Sequence, residues 1–289
     1  MNCKATIGLL LTVSLVAFGC SSSTDPTLQQ GDINDPEFQQ AKAQWESAIA
    51  MAVGSIDVAM DFSFNAPADT ITPVRGRGHH AATPAVDTFS YSYDPVSGWH
   101  VAYAAFSETG LAGAVLDSVQ FMNASNQVQH DYDELTTDQI HVIEQLAVSA
   151  TDTLAEGEFG REFDLTLSGL TGSVATANGD AALDFSLTIS DTSSTCDMAM
   201  GFTQQFDDVG FVQPLDENGG ICPVSGAMEM TGTVALACTG DGSSLSYNES
   251  WIVRVTFLSN GTMDVEAQSG NTVWTYNDPI PCGNYESPF

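Results

Sequence analysis

Two periods of hydrophobic spacing divide this chain, and each predicts a different element. Asp35-Pro36 fits the N-cap and the first position of a helix. Apolar residues then recur every three or four positions, at Phe38, Ala41, Trp45, Ile49 and Ala52. This spacing predicts an amphipathic helix that packs one apolar stripe against a core. From residue 55 the period becomes two, which predicts a half-buried strand at residues 55–64.

The alternating period continues through most of the chain and predicts antiparallel hairpins. Phe89–Tyr93 and Trp99–Tyr103 flank the turn-forming segment Asp94–Gly98. Alternation also predicts strands at residues 115–122, 127–132, 162–169 and 183–189. Residues 135–150 suit either a helix or a strand, and the strands on both sides favour a strand.

The carboxy-terminal part of the chain has the clearest pattern. Strands are predicted at residues 228–238, 250–258, 262–268 and 272–276. Asn260-Gly261 and Gly270-Asn271 are tight-turn dipeptides between them, so residues 228–276 should form a four-strand meander. We therefore expect residues 35–289 to be a single, mainly β domain. Its large antiparallel sheet would be a sandwich or a half-open barrel, with one amphipathic helix near the start.

The amino-terminal segment has the pattern of an export signal. Lys4 precedes an apolar run from Ile7 to Phe18, which is too short to span a bilayer. Gly19-Cys20 follows, and then small polar residues. This arrangement resembles the lipobox of bacterial lipoproteins, although Ala17 and Phe18 stand where the family prefers Leu and a small residue. The alternative is an ordinary secretory signal that is cleaved elsewhere.

The resemblance implies a processing step and a location. Residues 1–19 would be removed as a signal peptide, and Cys20 would become the lipidated amino terminus, with palmitate among its acyl chains. Two or more acyl chains hold a protein stably at a membrane. Ser21 stands in place of the Asp that retains such lipoproteins at the inner membrane, which implies the outer membrane of a bacterial envelope. Residues 20–34 have no hydrophobic period and are expected to be a flexible tether.

Four cysteines remain after Cys3 and Cys20, an even number in the oxidising compartment that the signal implies. None forms a Cys-x-x-Cys unit. If residues 197–206 pair antiparallel with 228–238, Cys196 lies beside Cys238. The meander then brings the exit of its last strand to the end where its first strand begins. We therefore predict the disulfides Cys196–Cys238 and Cys222–Cys282, each contributing roughly 2–4 kcal/mol to stability.

The charge balance restricts the partners. The chain has 37 acidic residues against 6 Lys and Arg, although charged residues make up only 15% of it. The imbalance therefore results from a small number of basic residues and not from an excess of acidic ones. Its field repels nucleic acids and anionic lipid head groups, so no nucleic-acid partner is expected. A neutral or hydrophobic ligand, or an envelope protein, remains a possible partner.

The most unusual local chemistry is a basic loop. Arg75, Arg77, His79 and His80 follow one another closely between flexible glycines, a composition that suits an anion or a metal ion. The alternative, which we favour, is a loop that pairs with the acidic body of its own protein. The run His130–Glu134 is rich in oxygen ligands, but a chain this acidic predicts a solvated turn there and no calcium site.

No catalytic spacing is present in the sequence. It has no Gly-x-Ser-x-Gly, no His-Glu-x-x-His and no phosphate-binding loop, and no cofactor, resident metal ion or enzymatic activity is predicted. The aromatic residues on the first predicted hairpin suit a ligand-binding face or, more often, a core. They are Phe89, Tyr91, Tyr93, Trp99 and Tyr103.

The leading functional hypothesis is a non-catalytic, membrane-anchored envelope lipoprotein with a binding or structural role. The segments Leu167–Leu170 and Cys222–Gly226 open strand units in a way that resembles uncharacterised bacterial envelope lipoproteins. One alternative is a carrier of lipid or another hydrophobic ligand, because the layout is similar to the half-open barrels of lipoprotein carriers and acceptors. Another is a secreted hydrolase without a recognisable motif. An apolar concave face closed by the helix would favour the carrier, and a filled sandwich would favour a scaffold.

Overall fold

The computed structural model describes residues 28–65, 86–212, 222–240 and 243–281. At residues 55, 57–65, 86, 243 and 245 it describes the backbone alone. Within these ranges the chain forms one helix, α1 (Pro36–Asn65), and thirteen strands that belong to a single open sheet. The expected fold class, a mainly β protein with one large antiparallel sheet and one amino-terminal helix, is confirmed.

The strands follow one another along the chain with short connections. They are β1 (Gln29–Gln30), β2 (Val86–Asp94), β3 (Trp99–Glu108), β4 (Leu111–Asn123), β5 (Val128–Gln129), β6 (Thr137–Thr151), β7 (Ala155–Ser168), β8 (Val174–Ser190), β9 (Ser194–Val212), β10 (Pro223–Gly240), β11 (Ser243–Phe257), β12 (Thr262–Ser269) and β13 (Thr272–Pro279).

Almost every strand pairs antiparallel with its neighbour in sequence. The order across the sheet is β1-β13-β12-β11-β10-β9-β8-β7-β6-β4-β3-β2, with the short β5 paired to β4. The exception is β1, which pairs parallel to β13 through Gln29 and Gln30, inside the segment expected to be a tether. The meander predicted over residues 228–276 is confirmed as β10 to β13, and residues 135–150 are largely strand, in β6.

The predicted strand at residues 55–64 is wrong, because α1 continues without interruption to Asn65. Its alternating apolar residues also satisfy a helical spacing that continues the stripe, since Ala52, Val53 and Ile56 are all buried. Only Gly54 weakens the helix at this point, and a single glycine costs about 1 kcal/mol. Burial of Val53 and Ile56 on either side of Gly54 offsets this cost.

The sheet curls around α1. Twelve strands in a row span about 55 Å, whereas a helix with its side chains is about 10–12 Å wide. One contiguous buried cluster nevertheless includes the helix and strand residues from Ala102 on β3 to Ala267 on β12. A flat sheet would leave most of these strands uncovered, so one face of the sheet must be concave and hold the helix.

Aromatic residues attach the start of the helix to the last strands. Trp45 is fully buried, donates a hydrogen bond from Nε1 to the Tyr276 hydroxyl at 2.9 Å and packs against Trp251 at 4.6 Å between ring centroids. Phe38 stacks on Trp274 at 4.9 Å. Farther along, the buried Gln204 of β9 donates to the backbone oxygen of Ala48 at 3.1 Å, so α1 crosses the strands from β13 towards β9.

The disulfide Cys196–Cys238 is confirmed and links β9 to β10 at directly paired positions. Cys222 is also disulfide-bonded. Its predicted partner, Cys282, lies outside the described residues, so the Cys222–Cys282 pairing stays a prediction.

Candidate functional site

The two ends of the concave face differ in how well they are covered. At the end where β8 begins and β9 finishes, apolar side chains are fully buried. This closed end contains Ile140, Leu167, Ala175, Ala177, Val209 and Phe211, all with 0% exposure. Thr137, the first residue of β6, and Leu170, in the turn after β7, add to the cover, because both are buried.

The opposite end, which we call the mouth, leaves apolar side chains partly open to solvent. Exposure rises along the concave face of β8, from Leu183 at 2%, through the half-buried Phe185 and Leu187, to Ile189 at 48%. The mouth is lined by Leu146, Val148, Phe185, Leu187, Ile189, Met198 and Leu236. The Cys196–Cys238 disulfide lies at its rim, because Cys196 pairs with both Ile189 and Cys238.

The chain enters the sheet from the mouth side. The strand β13 starts at the turn that follows β12 on this side, and β1 runs parallel to it, with Gln29 N donating to Asn271 O at 2.8 Å. Leu28 therefore lies farther towards the mouth than Gln30, and it is 54% exposed. The described chain thus begins on the mouth side of the sheet.

Three charged side chains lie on the concave face behind the mouth. Asp117 on β4 pairs in register with Glu144 on β6, and Arg161 on β7 donates from Nε to Glu144 Oε1 at 2.7 Å and also from its terminal nitrogen. Glu144 is only 4% exposed, and the Arg161 side chain is 13% exposed. We call Asp117, Glu144 and Arg161 the interior triad.

The environment of the interior triad disfavours ionisation of one carboxyl group. Burial, together with repulsion from Glu144, raises the pKa of Asp117 to about 7, and attraction to Arg161 offsets only part of this rise. Two carboxylates therefore share one guanidinium in mostly apolar surroundings. Near neutral pH, a proton on Asp117 partly replaces the missing second cation.

A second polar group lies on the concave face near the edge strand β2. The Tyr91 hydroxyl hydrogen-bonds with His100 Nδ1 at 2.7 Å, and the His100 ring packs against Tyr93 at 4.6 Å. Burial lowers the pKa of His100, which favours the neutral ring, although the nearby His130 backbone acts in the opposite direction. His100 Nε2 is buried and has no hydrogen-bond partner among the described residues. Close aromatic packing fills this region.

The aromatic stretch considered from the sequence is divided between two environments. Tyr91 and Tyr93 pack with the buried His100, whereas Trp99 packs against the His141 ring at 5.0 Å. Phe89 is 43% exposed and Tyr103 is 37% exposed, so neither is a core residue. The stretch therefore forms neither one ligand face nor a uniform core.

An open groove of about 530 Å³ lies on the convex face of the last strands, lined by Arg254, Thr256, Asp264, Glu266 and Thr275. Arg254 bridges Glu229 and Glu266 at 2.9 and 2.7 Å. The charge of Arg254 is thus already paired with carboxylates of the same chain, and the groove is open to solvent. We assign no ligand to it.

The sequence-predicted site residues and the interior triad do not overlap. Cys20, Arg75, Arg77, His79 and His80 lie outside the described residues and stay predictions. Sequence reasoning missed the interior triad, although a signal was present. Each member occupies an apolar register, between Val115 and Val119, Val142 and Leu146, or Phe159 and Phe163. A charge whose neighbours two residues away are both apolar points towards the core of a half-buried strand.

Comparison with protein-family models, with curated proteins and with solved structures finds no match. Within the described ranges, no helix has the length and apolar character needed to cross a membrane. The same part of the chain contains no group of three or more His, Cys, Asp or Glu side chains placed to hold a metal ion.

Proposed function

We propose that this chain is a non-catalytic envelope lipoprotein, anchored through Cys20, that binds a hydrophobic ligand in the mouth of its concave sheet. The observation that carries the proposal is the rise in exposure along β8, where a continuous apolar face passes from fully buried to solvent-exposed. Exposed contiguous apolar surface on a soluble domain is typical of a ligand or partner site.

The architecture supports binding rather than a scaffold role. A sandwich would cover the apolar face of one sheet with a second sheet along its whole length. Here one sheet curls around one helix, and the strands β7 to β10 extend beyond the residues that pack with it. This is the layout that the carrier hypothesis requires, in which a half-open barrel has an apolar interior and a helix packed within it.

The described chain begins at Leu28, on the mouth side of the sheet. Only residues 21–27 separate Cys20 from Leu28, so the tether can extend by roughly 25 Å at most. An acylated Cys20 would keep the mouth close to the membrane surface. A hydrophobic ligand could then pass between the membrane and the mouth over a short aqueous distance.

Metabolic labelling with radioactive palmitate tests the anchor. The full chain should incorporate label and fractionate with membranes, and the Cys20→Ser variant should do neither. Equal membrane association of the two proteins would refute the lipid anchor. It would leave the ligand-binding part of the proposal to be judged separately.

A matched pair of substitutions tests the mouth. Leu187 and Ser186 are neighbours on β8 that face the concave and convex sides. Leu187→Gln should weaken binding of a neutral naphthylamine fluorescent probe by roughly tenfold, since it places a polar amide in the apolar lining. Ser186→Gln should leave binding unchanged. Equal effects, or no binding by the parent protein, would contradict the proposed site.

Mass spectrometry of the protein extracted with its native lipids provides an independent readout. A hydrophobic molecule that copurifies in addition to the covalent anchor is expected, and Leu187→Gln should reduce its amount relative to Ser186→Gln. A parent protein that carries no such molecule and takes none up from vesicles would favour the structural role.

A further inference from the structure

We propose that the interior triad is a head-group subsite that selects amphiphiles with a cationic amine head, whose hydrocarbon tail lies along the mouth. The proposal rests on the proposed function, because it assigns chemistry to the inner part of the same ligand site. It goes beyond that function by naming the polar group that the ligand carries.

The charge balance of the interior triad is the first argument. Asp117 and Glu144 supply two carboxylates, and both guanidinium hydrogen bonds go to Glu144. When both acids are ionised, one negative charge lacks a counter-charge, in a site where Glu144 is almost fully buried and Asp117 is half-buried. Burial of such a charge is costly unless a cation or a proton neutralises it. An alkylammonium group is a cation whose tail can remain in apolar surroundings.

The other described Lys and Arg side chains do not supply this cation. Lys42 pairs with Glu46 and Asp278, and Arg254 pairs with Glu229 and Glu266 on the convex face. The part of α1 whose side chains are not described, residues 57–65, contains no Lys, Arg or His in its sequence. No other described Lys or Arg and no residue of α1 therefore neutralises Asp117, so its counter-charge must come from a ligand or from the loop of Arg75 and Arg77, which lies outside the described residues.

The position of the triad relative to the mouth is the second argument. On β6 the residues Glu144, Leu146 and Val148 follow one another on the concave face, and on β7 Arg161 follows Phe159. The distance along the strand from Glu144 to Val148 is about 14 Å. The apolar lining thus leads from the solvent-exposed rim directly to the charged group, as an amphiphile with an inward-facing head requires.

The arrangement disfavours an anionic head. A fatty acid carboxylate would have to displace Glu144 from Arg161 and would then lie beside two carboxylates. A neutral alcohol could accept a hydrogen bond from a protonated Asp117, but it would gain no charge pairing. An ammonium head gains charge-assisted hydrogen bonds to Asp117 in place of the hydrogen bond between Asp117 and Glu144, and it leaves the Glu144–Arg161 pair intact.

Competition between three dodecyl amphiphiles tests the inference. Dodecylammonium, dodecanol and dodecanoate are titrated against the neutral naphthylamine probe bound to the full chain, below their micelle concentrations. Dodecylammonium should displace the probe at roughly tenfold lower concentration than dodecanol, the equivalent of one charged hydrogen bond. Dodecanoate should be the weakest competitor.

The variants separate the site from the general attraction of a cation to an acidic protein. Asp117→Asn keeps the side-chain shape and should bring dodecylammonium and dodecanol to within about twofold of each other. Asp207→Asn removes the same charge from an exposed position and should preserve the tenfold preference. Loss of the preference in both variants, or in neither, would overturn the inference.

The other outcomes are also decisive. Equal competition by all three amphiphiles, or a preference for dodecanoate, would overturn head-group selection while the hydrophobic site stands. Failure of the probe and of every amphiphile to bind would refute the proposed function itself, and the inference would fall with it. Circular dichroism of Asp117→Asn checks that the variant is folded, so that a lost preference for dodecylammonium does not result from unfolding.

Discussion

The closed end and the mouth belong to the same face of the same strands, yet they differ in burial. Leu167 on β7 and Leu187 on β8 both occupy concave positions with apolar neighbours two residues away. Leu167 has 0% exposure, whereas Leu187 is only half-buried. The difference shows that period-two alternation specifies which face of a strand is apolar, and that elements elsewhere in the chain decide whether this face is covered.

Truncating these two leucines should give the largest measurable difference between the closed end and the mouth. Leu167→Ala should lower the free energy of unfolding by about 2–5 kcal/mol, because it removes a fully buried side chain and leaves a cavity. Leu187→Ala should lower it by about 1 kcal/mol or less, since much of its surface is already in water. Urea denaturation measures both values. Equal losses would show that the mouth is packed as tightly as the closed end.

Removal of the disulfide at the rim should have the next largest effect. Replacing Cys196 and Cys238 together by serine should lower the free energy of unfolding by about 2–4 kcal/mol, because the bridge restricts the unfolded chain. The Leu167→Ala loss should be unchanged in this background, since the two sites are far apart along the strands. A double variant as stable as the parent would show that the bridge has no stabilising role.

The interior triad gives the stability of the region behind the mouth a pH dependence. Folding raises the pKa of Asp117 from its ordinary value of 3.8 to about 7, so the folded protein binds a proton more tightly than the unfolded chain. This group therefore favours folding fully below about pH 4, and its contribution is lost as the pH rises towards 7.

Asp117→Asn should remove this loss of stability with rising pH. From about pH 5 to about pH 8, the unfolding free energy of the variant should fall by about 2 kcal/mol less than that of the parent. Asp207→Asn is the control, since repulsion among 37 acids also destabilises the chain as pH rises. Identical pH profiles for parent and Asp117→Asn would contradict the raised pKa.

Much of the fold could be predicted from the sequence because its determinants are local. The turn dipeptides Asn260-Gly261 and Gly270-Asn271 fixed the last hairpins, and both glycines have positive φ, at 81° and 56°. The pairing of Cys196 with Cys238 followed from the antiparallel register. In contrast, residues 55–64 satisfy both helical and strand spacing, and the helix that buries Ala52, Val53 and Ile56 continues through them.

The candidate site could not be predicted in the same way. Asp117, Glu144 and Arg161 are far apart in the chain, and 37 acids offer too many pairs to identify one. Apolar neighbours two residues away mark each of these charged residues separately, but they do not show that the three lie together. Only the strand order β4-β6-β7, which skips β5, brings the three together.

The smallest effect should come from the contact that holds the helix near the closed end. Lys42 bonds to Asp278 at 2.6 Å and lies 4.4 Å from the centre of the Tyr276 ring. Lys42→Met keeps the apolar stem, so it should lower the unfolding free energy by only about 0.5–1 kcal/mol, and less at high salt. Tryptophan fluorescence should report unchanged packing, because Trp45, Trp251 and Trp274 would keep their contacts. If this substitution instead exposed those tryptophans, the ion pair rather than aromatic burial would hold α1 against the sheet. The closed end would then be no more tightly packed than the mouth.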